Sequence, residues 1–131
     1  MATAKDDKPD LNDRLIKLAR SCRYDPDRWA RRAWNWGNGA LADIDEPREW
    51  QTDINRIIRD HLADPETRFQ PLRIAVASGH GIGKSAEMGM LSDWAMSCFA
   101  NAKIVTTANT EGQLRTKTAP EVGKWFRTSI T

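Results

Sequence analysis

Cysteine is scarce in this chain: Cys22 and Cys98 are the two thiols among 131 residues. They show no Cys-x-x-Cys spacing and have no histidine near them in sequence. That argues against a zinc site or a disulfide framework and for two reduced thiols. Charge of one sign is equally lacking. Lys and Arg total 20 against 18 Asp and Glu, a formal net charge of +2, too small to demand a nucleic-acid partner by itself. No run nears the ~20 apolar residues that span a bilayer. The polar stretch Met1–Asp10 lacks the apolar core of a signal peptide. The expectation is a soluble, intracellular protein with no membrane partner, the size of one modest domain.

Tryptophan, by contrast, is plentiful, with 6 in all. Residues 1–9 read as a polar tail. Leu11, Leu15, Leu18 and Ala19 fall on one helical face, which predicts a helix from Asp10 or Leu11 to about Arg20. Asp25-Pro26 is a helix start, with Asp25 as N-cap and proline at the first helical position. Trp29, Ala33 and Trp36 line one face of that helix, with Ala30 and Trp34 beside it, and Gly37-Asn38-Gly39 ends it. The neighbouring Arg31 and Arg32 raise base stacking as an option. The amphipathic spacing favours instead a hydrophobic face packed on another element. Residues 40–46 form an acidic linker. Pro47 opens a helix whose stripe is Trp50, Ile54, Ile57, Ile58 and His61 or Leu62, with His61 read as a packing residue. This divides the chain into an N-terminal tail and helical segment, 1–45, and a second unit, 46–131.

The most specific stretch is 72–85, Leu-Arg-Ile-Ala-Val-Ala-Ser-Gly-His-Gly-Ile-Gly-Lys-Ser. An apolar strand, 72–78, leads into a glycine-rich turn and then a helix from Gly83 to about Phe99. This is the layout of a phosphate-binding loop. Gly79, Gly81 and Gly83 allow positive φ and a close approach to a ligand. Inward-turned amides at the positive end of the helix would form a nest for a polyphosphate. Lys84 would reach the β- and γ-phosphates of ATP, and the Ser85 hydroxyl would ligate Mg²⁺. The strict pattern wants glycine at position 78, where this chain has serine. A second strand is expected at 103–108, whose Ile-Val-Thr-Thr has β character. A helix from Glu111 to about Thr118 follows, and Pro120 restarts helix through Trp125. Strand, helix, strand, helix is a βαβ unit and implies an α/β architecture.

From residue 46 onward the sequence resembles the N-terminal ATPase region of bacteriophage terminase large subunits, the motors that package viral DNA. Glu49-Trp50-Gln51 resembles the upstream glutamine motif that reads adenine. The loop fits because terminases commonly lack the first glycine, so Ser78 suits this family. Thr106-Thr107-Ala108-Asn109-Thr110-Glu111-Gly112-Gln113-Leu114-Arg115 resembles the segment after the second strand, and Pro120-Glu121-Val122-Gly123-Lys124-Trp125 continues the likeness. The resemblance implies a partial RecA-like P-loop NTPase core, preceded by the N-terminal helices. Gln51 would contact adenine, and Ser78, Gly79, His80, Gly81, Ile82 and Gly83 would cradle phosphates. Lys84 would be the catalytic cation and Ser85 the magnesium ligand. It further implies double-stranded DNA, a portal protein and a small terminase subunit as partners, a ring oligomer when full length, and the cytoplasm of a bacterial host.

The family's Asp-Glu pair at the end of a later strand and its nuclease carboxylates have no match after residue 85. Two strands that separate the first from the second in that sheet are missing too, leaving 72–78 and 103–108 with exposed edges. The chain therefore reads as a truncated terminase, cut before the Walker B strand, that binds ATP without turning it over. Two other readings stay open: a helicase-like P-loop ATPase, and a small interaction module whose Trp-rich helices, 11–36, bind a partner protein.

Overall fold

A computed structural model describes residues 10–77 and 83–130. Helix α1 (Leu11–Ser21) is followed by α2 (Pro26–Ala33), a 3₁₀ turn (Gly39–Leu41), α3 (Glu49–Ala63) and α4 (Lys84–Cys98). A single α turn, α5 (Glu111–Gln113), runs through a π segment (Leu114–Thr118) into α6 (Ala119–Thr128). The helix starts follow local chemistry. Asp25 Oδ1 accepts the Arg28 N–H at 3.0 Å, with Pro26 at the first position of α2. Thr110 caps α5 in the same way, accepting from the Gln113 N–H at 3.1 Å.

The tryptophans build the core around α4. Trp29, Ala30 and Ala33 of α2 are buried, as are Met90 and Trp94 of α4, Trp125 of α6 and Cys22 at the end of α1. Each buried indole is worth roughly 4–6 kcal/mol of apolar transfer before chain entropy is charged against it. Their N–H groups are also satisfied. Trp94 donates to the Cys22 carbonyl at 2.7 Å, Trp29 to the Asp93 carboxylate at 3.0 Å, and Trp36 to the Ala30 carbonyl at 2.8 Å. Helix α2 ends at Ala33, three residues before the amphipathic pattern runs out, because Trp34 turns extended. That turn carries its indole across to α6. There Trp34 donates to the Trp125 carbonyl at 3.0 Å and meets the Trp125 ring edge-on, 5.6 Å between centroids. The tryptophan face is thus consumed within the chain, as its spacing predicts.

The expected α/β architecture, and with it the RecA-like core, is overturned. No β-strand is present among the described residues. Residues 72–77 and 103–108 form neither helix nor ladder, and residue 78 lies outside the described residues. β-Propensity reflects how well a side chain fits a pleated, paired surface, and an extended segment becomes a strand only by exchanging hydrogen bonds with a neighbour. Here both segments stay largely exposed at the edge of the helices. Ile74 and Val76 face Ile54 and Ile58 of α3 across a cavity. Ile104 sits in a shallow groove with Ile58, Leu91 and Trp94. The following Val105 is 87% exposed.

Candidate functional site

The glycine loop falls largely outside the described residues: this holds for Ser78, Gly79, His80, Gly81 and Ile82. Its exit is defined. Gly83 is the N-cap of α4 in the left-handed region, φ +89° and ψ 27°, a conformation that favours glycine. A Cβ there would also stand 2.9 Å from Gln51 Nε2. As N-cap, Gly83 has no side-chain oxygen to offer the first-turn N–H groups of α4, which leaves them suited to an anion. Lys84 and Ser85 occupy that first turn, both half-buried.

Gln51 lies beside them, and its amide is bonded at both ends. Oε1 accepts from the Arg48 N–H at 2.9 Å, and Nε2 donates to the Gly83 carbonyl at 3.0 Å. The same carbonyl accepts the Glu87 N–H at 3.0 Å, so both of its lone pairs are used. Gln51 is buried and joins the start of α3 to the start of α4. Arg48, which sequence reasoning missed, places Nε 3.9 Å from the point where a Gly83 Cβ would sit. Its guanidinium is a second cation beside Gly83. Its position just after Pro47 and three residues before Gln51 was the available signal.

A cavity of about 300 Å³ opens beside Lys84, between α3, α4 and the 72–77 segment. Ile54 and Ile58 of α3, Ile74, Val76 and Leu91 make it apolar, and Lys84 and Glu87 are its charged-type residues. Glu87 is 4% exposed, and among the described residues neither carboxyl oxygen has a hydrogen-bond partner. Burial, with a smaller push from the Asp27 carboxylate, raises its pKa from 4.5 to about 8. Glu87 is therefore a neutral acid at pH 7. It stands one helical turn after Lys84, a spacing that puts both on one face of α4 and that sequence reasoning overlooked.

Four other carboxyl groups, Asp93, Glu121, Glu111 and Asp27, have structural roles. Asp93 accepts from Trp29 and from the Ser129 hydroxyl. Glu121 accepts from Trp125 Nε1 at 3.0 Å, and Glu111 pairs with Arg115. Asp27 holds Arg31 at 3.2 Å and Arg56 at 3.7 Å. Among the described residues no group of three or more His, Cys, Asp and Glu gathers to hold a metal. Burial raises the Cys22 thiol and pushes Cys98 up to about 12, so neither is a ready nucleophile. His61 bonds the Gln70 carbonyl at 2.8 Å, a structural use. No helix among the described residues is long and apolar enough to cross a membrane.

Comparison of the chain with protein-family models, with curated proteins and with solved structures finds no match.

Proposed function

We propose that this chain binds ATP through the glycine loop ending at Ser85, as the nucleotide-binding part of a bacteriophage terminase large subunit. The observation that carries the reading is the junction at Gly83. A left-handed glycine opens α4, Lys84 and Ser85 fill its first turn, and Arg48 stands alongside. The donor set fits a nucleotide triphosphate with Mg²⁺. Two cations and the first-turn N–H groups suit phosphate oxygens. A single hydroxyl, Ser85, suits a hard cation that keeps most of its shell from phosphate and water. Such a ligand, when bound, supplies a transferable phosphoryl group and a Lewis acid.

In this reading Lys84 neutralises charge on the outer phosphates and Arg48 adds a second, exposed positive charge. Gln51 fixes the Gly83 carbonyl at the head of α4. Turnover by these residues alone is not expected. Asp93, Glu111 and Glu121 are engaged elsewhere, and the carboxyl nearest Lys84 along the helix, Glu87, is neutral at pH 7. Double-stranded DNA, a portal protein, a small subunit, ring assembly and the host cytoplasm follow from the terminase resemblance and belong to the same proposal.

The test is titration with a fluorescent ATP analogue, with and without Mg²⁺, on the wild type and Lys84→Ala. Saturable, Mg²⁺-enhanced binding that the variant loses supports the assignment, and equal signals from the two proteins overturn it.

A further inference from the structure

We infer that the arginine-rich outer surface of α1 and α2 docks a nucleic-acid duplex along its phosphate backbone. Arg14, Lys17 and Arg20 of α1, Arg23 of the turn, and Arg28 and Arg32 of α2 are all exposed. Among the described residues none of these cations forms an ion pair. The arginines gather where α1 meets α2. Arg20 and Arg23 line one groove of about 330 Å³, with Ser97 near the end of α4. Burial raises the pKa of Cys22, which lies between them, and the Arg28 and Arg32 guanidiniums oppose that rise, so their fields reach the same corner. Ser97 stands roughly 20 Å along α4 from Lys84, at about 1.5 Å per residue, which sets this surface apart from the head of α4. The exposed acids Asp10 and Asp13 stand at the other end of α1. Asp25 caps α2, and Asp27 is buried and held by Arg31 and Arg56.

All but Lys17 are arginines, whose planar guanidinium pairs with phosphate oxygens through two parallel hydrogen bonds. Cations without ion pairs, spread over two helices, suit a polyanion longer than a single phosphate. The aromatic groups decide between one strand and two. Single strands are held by bases stacked on exposed rings, and here Trp29 and Trp34 are buried and Trp36 donates to the Ala30 carbonyl. Tyr24 carries Arg23 and Arg68 over its ring, at 5.6 and 4.4 Å. With these rings turned inward or covered, recognition runs through phosphates, which favours a duplex of any sequence. An anionic membrane fits less well, because it needs a continuous apolar face beside the cations. Leu11 and Ile16, the exposed large apolar residues of α1, lie about 140° apart around a helix of 3.6 residues per turn.

The inference does not rest on the phosphate-loop reading, which assigns no surface to a nucleic acid, and its test contains no nucleotide. Fluorescence anisotropy of the full chain compares a labelled duplex of mixed sequence, the matching single strand and the duplex in competition with phosphatidylserine–phosphatidylcholine vesicles. The duplex is expected to bind more tightly than the strand. It should lose roughly 100-fold in affinity between about 50 and 200 mM salt, the dependence of about four phosphate contacts. Arg28→Gln with Arg32→Gln should weaken the duplex at least about tenfold and lower the salt slope by about 2. Arg20→Gln with Arg23→Gln should do the same, and if one pair lowers the melting temperature the other carries the test. Lys124→Gln with Arg127→Gln, which removes equal charge from exposed positions of α6, should leave the slope unchanged. Absent duplex binding, a single strand bound as tightly, an α6 pair that loses as much as the α2 pair, or vesicles bound in place of the duplex overturns the inference. A wild type that binds the duplex but not ATP overturns the phosphate-loop proposal alone.

Discussion

Trp29 Nε1 donates to Asp93 Oδ2 at 3.0 Å across 64 positions of sequence, and both side chains are 0% exposed. The carboxylate's other oxygen accepts the Ser129 hydroxyl at 3.3 Å. One buried acid thus joins α2, α4 and the chain just beyond α6. Trp29→Phe keeps most of the apolar contact but leaves a buried carboxyl oxygen without its donor, and an unsatisfied buried polar group costs ~1–3 kcal/mol. A loss of about that size is expected in urea denaturation, with little change in slope. Asp93→Asn keeps an acceptor and should cost less than Trp29→Phe. The reverse order would mean that the indole bond is not what holds α2 to α4.

The α4–α6 contact depends on the absence of a side chain. A Cβ on Gly89 would lie 2.9 Å from both Cβ and Cδ1 of Trp125, whose ring is itself locked edge-on against Trp34. Alanine would add roughly 0.8–1 kcal/mol of helix propensity, but overpacking a fixed ring typically costs 1–3 kcal/mol. Gly89→Ala is expected to lower the melting temperature despite the better helix former. Gly89→Ala with Trp125→Leu should lose less than the sum of the two single variants. A more stable Gly89→Ala would show that α6 can move away freely.

Glu87 links stability to pH. Its folded pKa, about 8, exceeds its ordinary 4.5, so between these values the native state holds a proton that the unfolded chain releases. Stability from this group is fully present below pH 4.5 and falls as pH rises towards 8. Each unit of pKa difference is worth about 1.4 kcal/mol. Glu87→Gln should flatten the decline between pH 5 and 8, and Glu87→Met should flatten it and raise stability throughout, since an apolar isostere removes the unpartnered group. Denaturant midpoints at pH 5, 6.5 and 8 check this, and parallel profiles for the wild type and Glu87→Met would refute it.

Local signals in the sequence were readable because they act over a few residues. Asp25-Pro26 set the start of α2 by capping, and the spacing of Trp29, Ala30 and Ala33 set a buried face. The two expected strands were not readable in the same way. Pairing is decided by partners distant in sequence, and Ile74, Val76 and Ile104 stay largely exposed, with no strand partner among the described residues. The end of α2 was missed for a related reason: Trp34 leaves the helix to reach Trp125, 91 positions away. At the candidate site, Gly83, Lys84 and Ser85 stood out by pattern. Glu87 did not, because a glutamate on a helix is ordinarily solvated and only the fold reveals its burial.

Gln51 offers the sharpest test of how the site is organised. A residue that reads adenine affects binding only of ligands with a base, whereas one that holds the loop affects anything bound through phosphates. Its buried amide bonds the Arg48 N–H and the Gly83 carbonyl, which places it with the loop. Gln51→Ala should therefore weaken ATP and inorganic tripolyphosphate by the same factor, about tenfold if one hydrogen bond's worth of ordering is lost. It should also lower stability by ~1–2 kcal/mol through the orphaned Arg48 N–H. Competition of both ligands against a fluorescent ATP analogue measures the two factors side by side. A loss confined to ATP, with tripolyphosphate unchanged, would return Gln51 to the base.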